Sequence, residues 1–360
     1  MSEHAAKPAI LLLAHGTPNA LGEMADYLRL VTGGRALPHE VVEELQHRYA
    51  QIGLGESPTP EPPPLTRWTF AQRDLLQSHL SAKGSPTPVY AAMRNWHPLI
   101  ADVVSQIRAD GITHLTALCL APQNSRTSIG LYKRALQSAL AATAPAGPPD
   151  PLTLTFIDAW SEEPTLIRAF AHNLAETHSL VLAETGAPLP VLFTAHSVPC
   201  RTIMSSDPNA AAAPPSGRPV PPPQTTPDPY PVEAKRTAAL VFDQAFPPGA
   251  SAPPPPAWFF AFQSQGVAGG PWIGPTVEDT LAAIAAEGYT GVILQPIGFL
   301  CDHVEILYDI DIAFQETASS LNLRLFRPAS LNDSPLLTQA IANVLNPHLH
   351  TDAAHLVPRT

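Results

Sequence analysis

The chain has 360 residues, of which 45% are hydrophobic and 14% charged, and its 31 Asp and Glu outnumber 20 Lys and Arg to leave a formal net charge of −11. That length and apolar content fit two packed domains better than one small binding module. The acidic balance, with no basic cluster, argues against nucleic acid or an anionic membrane as the main partner, and no apolar run approaches the roughly 20 residues that span a bilayer.

The start, MSEHAAKPAILLLAHG, runs directly into a strand-like segment without a signal peptide's helical apolar core and small-residue cleavage site, so a cytoplasmic location is expected. Further strand-like apolar runs follow at 88–94, 114–122, 152–160, 190–199, 257–266 and 291–299. Helical patterns at 98–111, 164–181, 276–289 and 334–348 alternate with them, and Thr276 and Asp279 are placed to cap the third. Near-continuous apolar strands separated by amphipathic stretches predict parallel sheets covered by helices on both faces. The pattern occurs twice. The expected fold is therefore α/β, with two doubly wound parallel-sheet domains. The first is expected over 1–150, completed by a C-terminal helix at 333–350, and the second over 151–332.

The 43 prolines are clustered, and the segments 57–66, 141–150, 208–229 and 246–256 lack any packing periodicity. They read as loops or linkers, with 208–229 a proline-rich insertion in the second domain. Cys119, Cys200 and Cys301 are isolated, with no CxxC spacing, which suits single buried thiols and not a disulfide framework or an iron–sulfur site.

Ligands in open α/β sheets sit beyond the carboxyl ends of the strands. Four such ends carry polar chemistry: His15 with Gly16 and Thr17, Asn124 with Ser125 and Arg126, His196 with Ser197, and the segment CDHVEILYDID at 301–311. A helix through that last segment would set Asp302, Glu305 and Asp309 on one face, either as a solvated acidic surface or as a conduit for cations or protons. His303 should then point elsewhere and serve packing or support. His196, after VLFTA, can accept a proton near neutral pH or bind a borderline metal, and a structural hydrogen bond at a strand end is the alternative. His15 suits a ligand position or a turn contact. GxGxxG after the first strand, GxxxxGK[ST], HExxH and GxSxG are all absent, so the apparatus of nucleotide, zincin and serine-hydrolase chemistry is missing. The glycine-rich stretch FQSQGVAGGPWIGPT, with Trp272 inside it, suits close approach to a large flat ligand, or a tight turn.

Together LLLAHGTP (11–18), LAPQNS (120–125), FTAHSVP (193–199), FQSQGVAGGPWIGPT (262–276) and QPIGFLCDHVEILYDID (295–311) resemble the ferrochelatase family over roughly residues 9–348. HSVP with GFxxDHVExLYDxD is the specific part. The resemblance implies two Rossmann-like domains facing each other across a porphyrin cleft, and a lyase that inserts Fe²⁺ into the porphyrin in haem biosynthesis with release of two protons. It implies His196 and Glu305 as the catalytic and metal-contacting pair, and Asp309 and Asp311 as a proton or metal relay. Asn19, Asn124, Ser125, Arg126, Ser197, Gln265 and Trp272 fall at porphyrin-binding positions. Iron is then a substrate, with no permanently bound cofactor, and the cysteine set that holds a [2Fe–2S] cluster in some members is absent. The implied partners are the porphyrin and, transiently, other haem-pathway enzymes.

The chain departs from the family at several places. Asn124 stands where Tyr is common, and Gln265 stands where an Arg is common, which either weakens the anchoring of a propionate or shifts that task to Arg126, Arg201 or Lys133. The opening His15-Gly16-Thr17-Pro18 is also similar to that of smaller chelatases acting on sirohydrochlorin. YDID resembles the coproporphyrin-using branch, whose typical Tyr just after GTP is Asn19 here. Coproporphyrin III carries four propionates and protoporphyrin IX two, so few cations near the motifs favour protoporphyrin IX, with coproporphyrin III as the alternative. An alternative of another class is a non-catalytic tetrapyrrole-binding protein.

Overall fold

The computed structural model describes residues 7–145, 150–203, 227–249, 253–266 and 271–349. The first sheet starts with β1 (Pro8–Ala14), and its crossover carries α1 (Met24–Val31), α2 (His39–Gln51) and α3 (Pro64–Ala82) before β2 (Val89–Met93). Then come α4 (Ile100–Ala109), β3 (His114–Cys119), α5 (Ile129–Ala142) and β4 (Thr153–Ile157). After α6 (Pro164–Thr185) the second sheet begins with β5 (Val191–His196), followed by α7 (Cys200–Ile203), α8 (Tyr230–Ala245), β6 (Trp258–Gln263), α9 (Val277–Ala286) and β7 (Gly291–Pro296). The chain closes through α10 (Val304–Leu307), a π-helical turn (Asp309–Phe314), α11 (Gln315–Ser320), β8 (Arg324–Phe326) and α12 (Pro335–Leu349).

All pairings are parallel, in the orders β2-β1-β3-β4 and β6-β5-β7-β8. In each sheet the strand order reverses beside the first strand, so a topological switch point opens between β1 and β3 and another between β5 and β7. Crevices at such points are where open α/β sheets bind ligands. Strand alternation sorts the cores: Ile10 and Leu12 of β1 face a cluster shared with Phe170, Phe193, Ile293 and Ile341, whereas Leu11 and Leu13 pack with Val104, Leu115 and Leu136 on the other face. Both faces of β1 are covered, which is why its sequence is a continuous apolar run.

Local signals set the helix ends. Thr276 accepts a hydrogen bond from the Asp279 amide at 3.1 Å to cap α9. Glu163 does the same for Leu166 ahead of Pro164 in α6, which stops at Gly186 with φ of 75°.

Three sequence expectations need correction. The break expected at 150/151 falls one strand early, because β4 pairs in register with β3 (Leu115 opposite Leu154) and belongs to the first sheet. Of the proline-rich stretch expected as a loop over 141–150, residues 141 and 142 belong to α5 and residues 146–149 lie outside the described residues. The C-terminal helix, expected to complete the first domain, packs on α6 as well as α3 and shares the core between the two sheets. The loop expected over 57–66 gives way to α3 at Pro64, since proline in the first turn of a helix loses no hydrogen bond. The three-residue β8 and helices α1, α2, α3, α5 and α8 are not among the elements the sequence predicts. Of the insertion at 208–229, residues 208–226 lie outside the described residues.

Candidate active site

A cavity of about 1010 Å³ opens at the carboxyl ends of both sheets. Its walls include His15 and Thr17 after β1, Ser125 after β3, His196 and Ser197 at and after β5, and Glu305 after β7. Tyr27, Leu28, Leu45 and Tyr49 from α1 and α2 wall it on another side. Its lining is mostly apolar with a few convergent polar groups, as a site for a large flat ligand requires.

His196 is the last residue of β5, and Glu305 lies in the single turn of α10. The imidazole Nε2 stands 3.2 Å from the Glu305 carboxylate, and each side chain is about a third exposed, at 32% and 30%. The opposite ring nitrogen, Nδ1, meets the Ser197 carbonyl and fixes the ring orientation. His303 Nε2 approaches the other Glu305 oxygen at 3.3 Å, while its Nδ1 lies 2.9 Å from the Cys301 carbonyl. His303 therefore supports Glu305 directly; it does not point elsewhere, because it precedes the helix as an extended cap residue and is not part of it. Gln263 donates to the Glu305 backbone carbonyl at 2.8 Å and accepts from Thr194 at 2.6 Å, tying α10 to the second sheet.

Burial by itself lowers His196, but the Glu305 carboxylate overrides it and raises the imidazole above its ordinary value. Burial likewise raises Glu305, and the charge and hydrogen bonds of His196 and His303 hold it well below the usual carboxylate range. Each member of the pair thus favours the charged form of the other. Asp309 is pushed up to about 6, mainly by burial, with its bond to Ser264 (2.5 Å) opposing and the Glu305 charge reinforcing. Arg48 of α2 reaches to 3.9 Å of Asp309, so this carboxylate also faces the first half of the molecule.

The four carboxylates of 301–311 do not share a face. Asp302 precedes α10 and accepts from Ser330 (2.7 Å) and Asn332 (2.9 Å), and Asp311 is held at two oxygens by Arg327, at 2.6 and 2.7 Å. Glu305 and Asp309 line the cavity; Asp302 and Asp311 do not. The relay expected at Asp311 is corrected accordingly: a four-residue helix that passes into a wider π turn rotates Asp311 away from Asp309 toward Arg327.

Asn19, Ser125, Ser197, Gln265 and Trp272 line the cavity. The Ser197 hydroxyl is spent on the Ile273 carbonyl at 2.8 Å, and Trp272 lies over Gly266, where a Cβ would come within 2.9 Å of the indole. The Trp272 ring centroid is 6.4 Å from that of His196. Asn124 and Arg126 fall outside the lining: their amides donate to Glu233 (2.7 Å) and Asp228 (3.0 Å) at the start of α8. Lys133 pairs with Asp158 at 2.8 Å. His15 makes turn contacts, with Asn95 Nδ2 at 2.9 Å from its Nε2 and the Gly16 carbonyl and Tyr27 hydroxyl at 3.1 and 3.2 Å from its Nδ1. Burial and the nearby Arg94 cation lower it to about 4, so it stays neutral near pH 7.

Sequence reading missed Tyr27, Tyr49, Arg48 and Arg94, all in the lining. The three on α1 and α2 sit in helices with no motif. Arg94 ends the run PVYAAMR, and its position at a strand end was a usable signal. Among the described residues no group of three His, Cys, Asp or Glu side chains forms a ready-made metal cage.

The family model for ferrochelatase matches residues 7–349. A protein of Acidobacterium capsulatum named ferrochelatase is 52% identical over 338 residues, covering 94% of this chain and 93% of the relative. One of Herpetosiphon aurantiacus with the same name is 38% identical, covering 94% and 98%. A coproporphyrin III ferrochelatase of Geobacillus kaustophilus is 30% identical, covering 93% and 94%. In backbone alone the chain is similar to the crystal structure of the sirohydrochlorin chelatase of Bacillus subtilis subspecies spizizenii in complex with cobalt, with a TM-score of 0.51, 11% identity and coverage of 97% and 98%. Two parallel sheets meeting at one cleft, a histidine and a glutamate in contact within it, and a family match along almost all of the described length lead to one conclusion: the chain belongs to the ferrochelatase family.

Proposed function

We propose that this ferrochelatase inserts Fe²⁺ into protoporphyrin IX, with His196 as the proton acceptor and Glu305 as the carboxylate that receives the cation. The reaction exchanges two pyrrole N–H protons for one Fe²⁺ and leaves the metalloporphyrin neutral at its core. The observation that carries the reading is the 3.2 Å contact between His196 and Glu305 inside a cleft large and apolar enough for a tetrapyrrole. The Glu305 carboxylate raises the imidazole above its ordinary value and so favours its protonated form. A dication arriving at Glu305 repels that proton, and the discharged His196 is then the base that a pyrrole N–H needs. Asp309, pushed up to about 6, exchanges protons near neutral pH and supplies the route outward. Distortion of the macrocycle, which exposes its nitrogens, draws on the binding energy of its periphery against Trp272 and the tyrosine wall.

The charges around the cavity support protoporphyrin IX. Of the guanidiniums in its lining, Arg48 is paired with Glu44 and Arg67 with Glu61, and among the described residues Arg94 has no carboxylate within 4.0 Å. Such a set suits two propionates better than four. Anaerobic initial rates with Fe²⁺ and either porphyrin, read from the porphyrin-to-haem absorbance change, test the assignment. The expected outcome is a higher kcat/KM for protoporphyrin IX, lowered at least 100-fold in His196→Ala and Glu305→Gln, in line with the roughly 10²–10⁴-fold contribution of a positioned acid or base. A preference for coproporphyrin III would reverse the substrate, and full activity in either variant would remove the proposed pair.

A further inference from the structure

Glu305 and Asp309 reach the cavity from a segment with little stability of its own. A four-residue helix is far below the length at which helices hold themselves, and a π turn is a rare form that occurs mostly as a single-turn bulge within longer helices. The segment is nevertheless pinned at both ends, and from behind, by one side chain. Arg327, just after β8, takes both oxygens of Asp311 in a fork, Nε to Oδ1 at 2.6 Å and Nη2 to Oδ2 at 2.7 Å. Its third nitrogen, Nη1, lies 3.6 Å from Asp302 Oδ1 and donates to the Pro328 carbonyl at 3.2 Å and to the Ser330 hydroxyl at 3.4 Å. Ser330 and Asn332 complete the hold on Asp302, and Asn332 also accepts from the Asp302 amide at 2.8 Å. The Arg327 side chain is 15% exposed. The inner side of the same segment is locked by Ile306, Ile310 and Phe314 in the core with β7 and α9.

We propose that Arg327 is a positioning residue for metal insertion, bridging Asp302 and Asp311 so that the span between them holds Glu305 against His196 and Asp309 toward the cavity. The proposal rests on the assignment of Glu305 to the reaction. Its chemical basis is that only a planar guanidinium can grip one carboxylate at two oxygens while a third nitrogen is directed to another. Lysine, a point charge on a flexible stem, can neutralise the two carboxylates but cannot fix the angle between them. A misplacement of about 1 Å at a reacting group costs on the order of 10²-fold in rate.

The test compares Arg327→Lys, Asp311→Asn, Arg327→Met and the double variant Arg327→Met/Asp311→Asn with the full-length wild type, using Fe²⁺ and the better of the two porphyrins under anaerobic conditions. Porphyrin binding is read separately from fluorescence quenching, and folding from thermal unfolding. The expected result for Arg327→Lys is a kcat lowered by roughly tenfold and a raised KM for Fe²⁺, while porphyrin Kd moves less than about twofold, because the porphyrin walls lie elsewhere. In the double variant kcat should fall no further than in Arg327→Met alone, as two members of one contact require. Arg327→Lys and Asp311→Asn retain a partner for every buried charge better than Arg327→Met, so the test stands if the methionine variant fails to fold. A lower melting temperature with unchanged kcat and unchanged KM for Fe²⁺ would reduce Arg327 to a structural role and overturn the proposal alone. Activity that survives Glu305→Gln would remove the group that Arg327 is proposed to hold, and would overturn both readings together.

Discussion

At the scale of single residues, His196 and Glu305 stabilise each other's charged form, and the pH range of that effect follows from the directions of their shifts. His196 is raised, so its contribution to stability is complete below the ordinary imidazole value of 6.5 and is lost as pH rises through the raised value. Glu305 is depressed, so its contribution is complete above the ordinary carboxyl value of 4.5 and is lost as pH falls through the depressed one. Both are present in full between those two ordinary values. Thermal unfolding of wild type and Glu305→Gln should therefore differ most near pH 5.5 or so, and the gap should narrow on the alkaline side as His196 discharges. A gap of constant size from about pH 5 to pH 9 would mean that the pair is not an ion pair in the folded protein. Residue identity was the readable part here: HSVP and DHVE mark both groups. Their 3.2 Å separation was not readable, since 108 residues and two strands lie between them.

At the scale of elements, the turn that follows β1 shows how closely the cleft floor is built. Gly16 has φ of 90°, and a Cβ there would sit 2.8 Å from the Trp96 backbone nitrogen. Gly16→Ala should destabilise the protein by about 1–3 kcal/mol, the range for forcing a side chain into a sparsely populated backbone region, and should disturb His15 and Asn95 next to it. Chemical unfolding measures the loss, and an unchanged midpoint would show that the turn relaxes freely. The element that sequence reading handled least well is the carrier of the four carboxylates. A regular helix was the natural expectation from spacing, yet the backbone widens after Tyr308, and the carboxylates divide into Glu305 and Asp309 for the cavity and Asp302 and Asp311 for Arg327. A spacing rule assumes one helical period throughout, and a π turn breaks that assumption.

At the scale of the whole molecule, the two sheets are held around the cleft by polar contacts as well as by the shared core. Gln123, after β3, donates to the Ile297 carbonyl beyond β7 at 3.1 Å, and Glu233 of α8 accepts from the Asn124 amide at 2.7 Å and from Ser161 at 3.4 Å. Asp228 accepts from the Arg126 amide at 3.0 Å. These bonds hold the loop after β3, whose Ser125 faces the cavity, against the second half. Glu233→Ala leaves the partly buried Asn124 amide without its acceptor, a loss of about 1 kcal/mol. Its expected signature is a porphyrin KM raised several-fold with kcat lowered by less, because the cleft wall loosens while His196 and Glu305 stay in place. A fall in kcat with unchanged KM would contradict that division. Among the described residues no helix is long and apolar enough to cross a membrane.

The sequence by itself determined the two parallel sheets, the strand ends that meet in the cleft and the identity of the pair inside it. Strands buried on both faces must be continuously apolar, and a strand end followed by a histidine or a glycine turn leaves a local mark. The tertiary structure alone decided that β4 completes the first sheet, that His15 is neutral and committed to Asn95 and the turn, and that Asp311 belongs to Arg327 and not to the cavity. Each of those outcomes depends on a partner brought close by packing from a distant part of the chain, and no local pattern encodes such a partner.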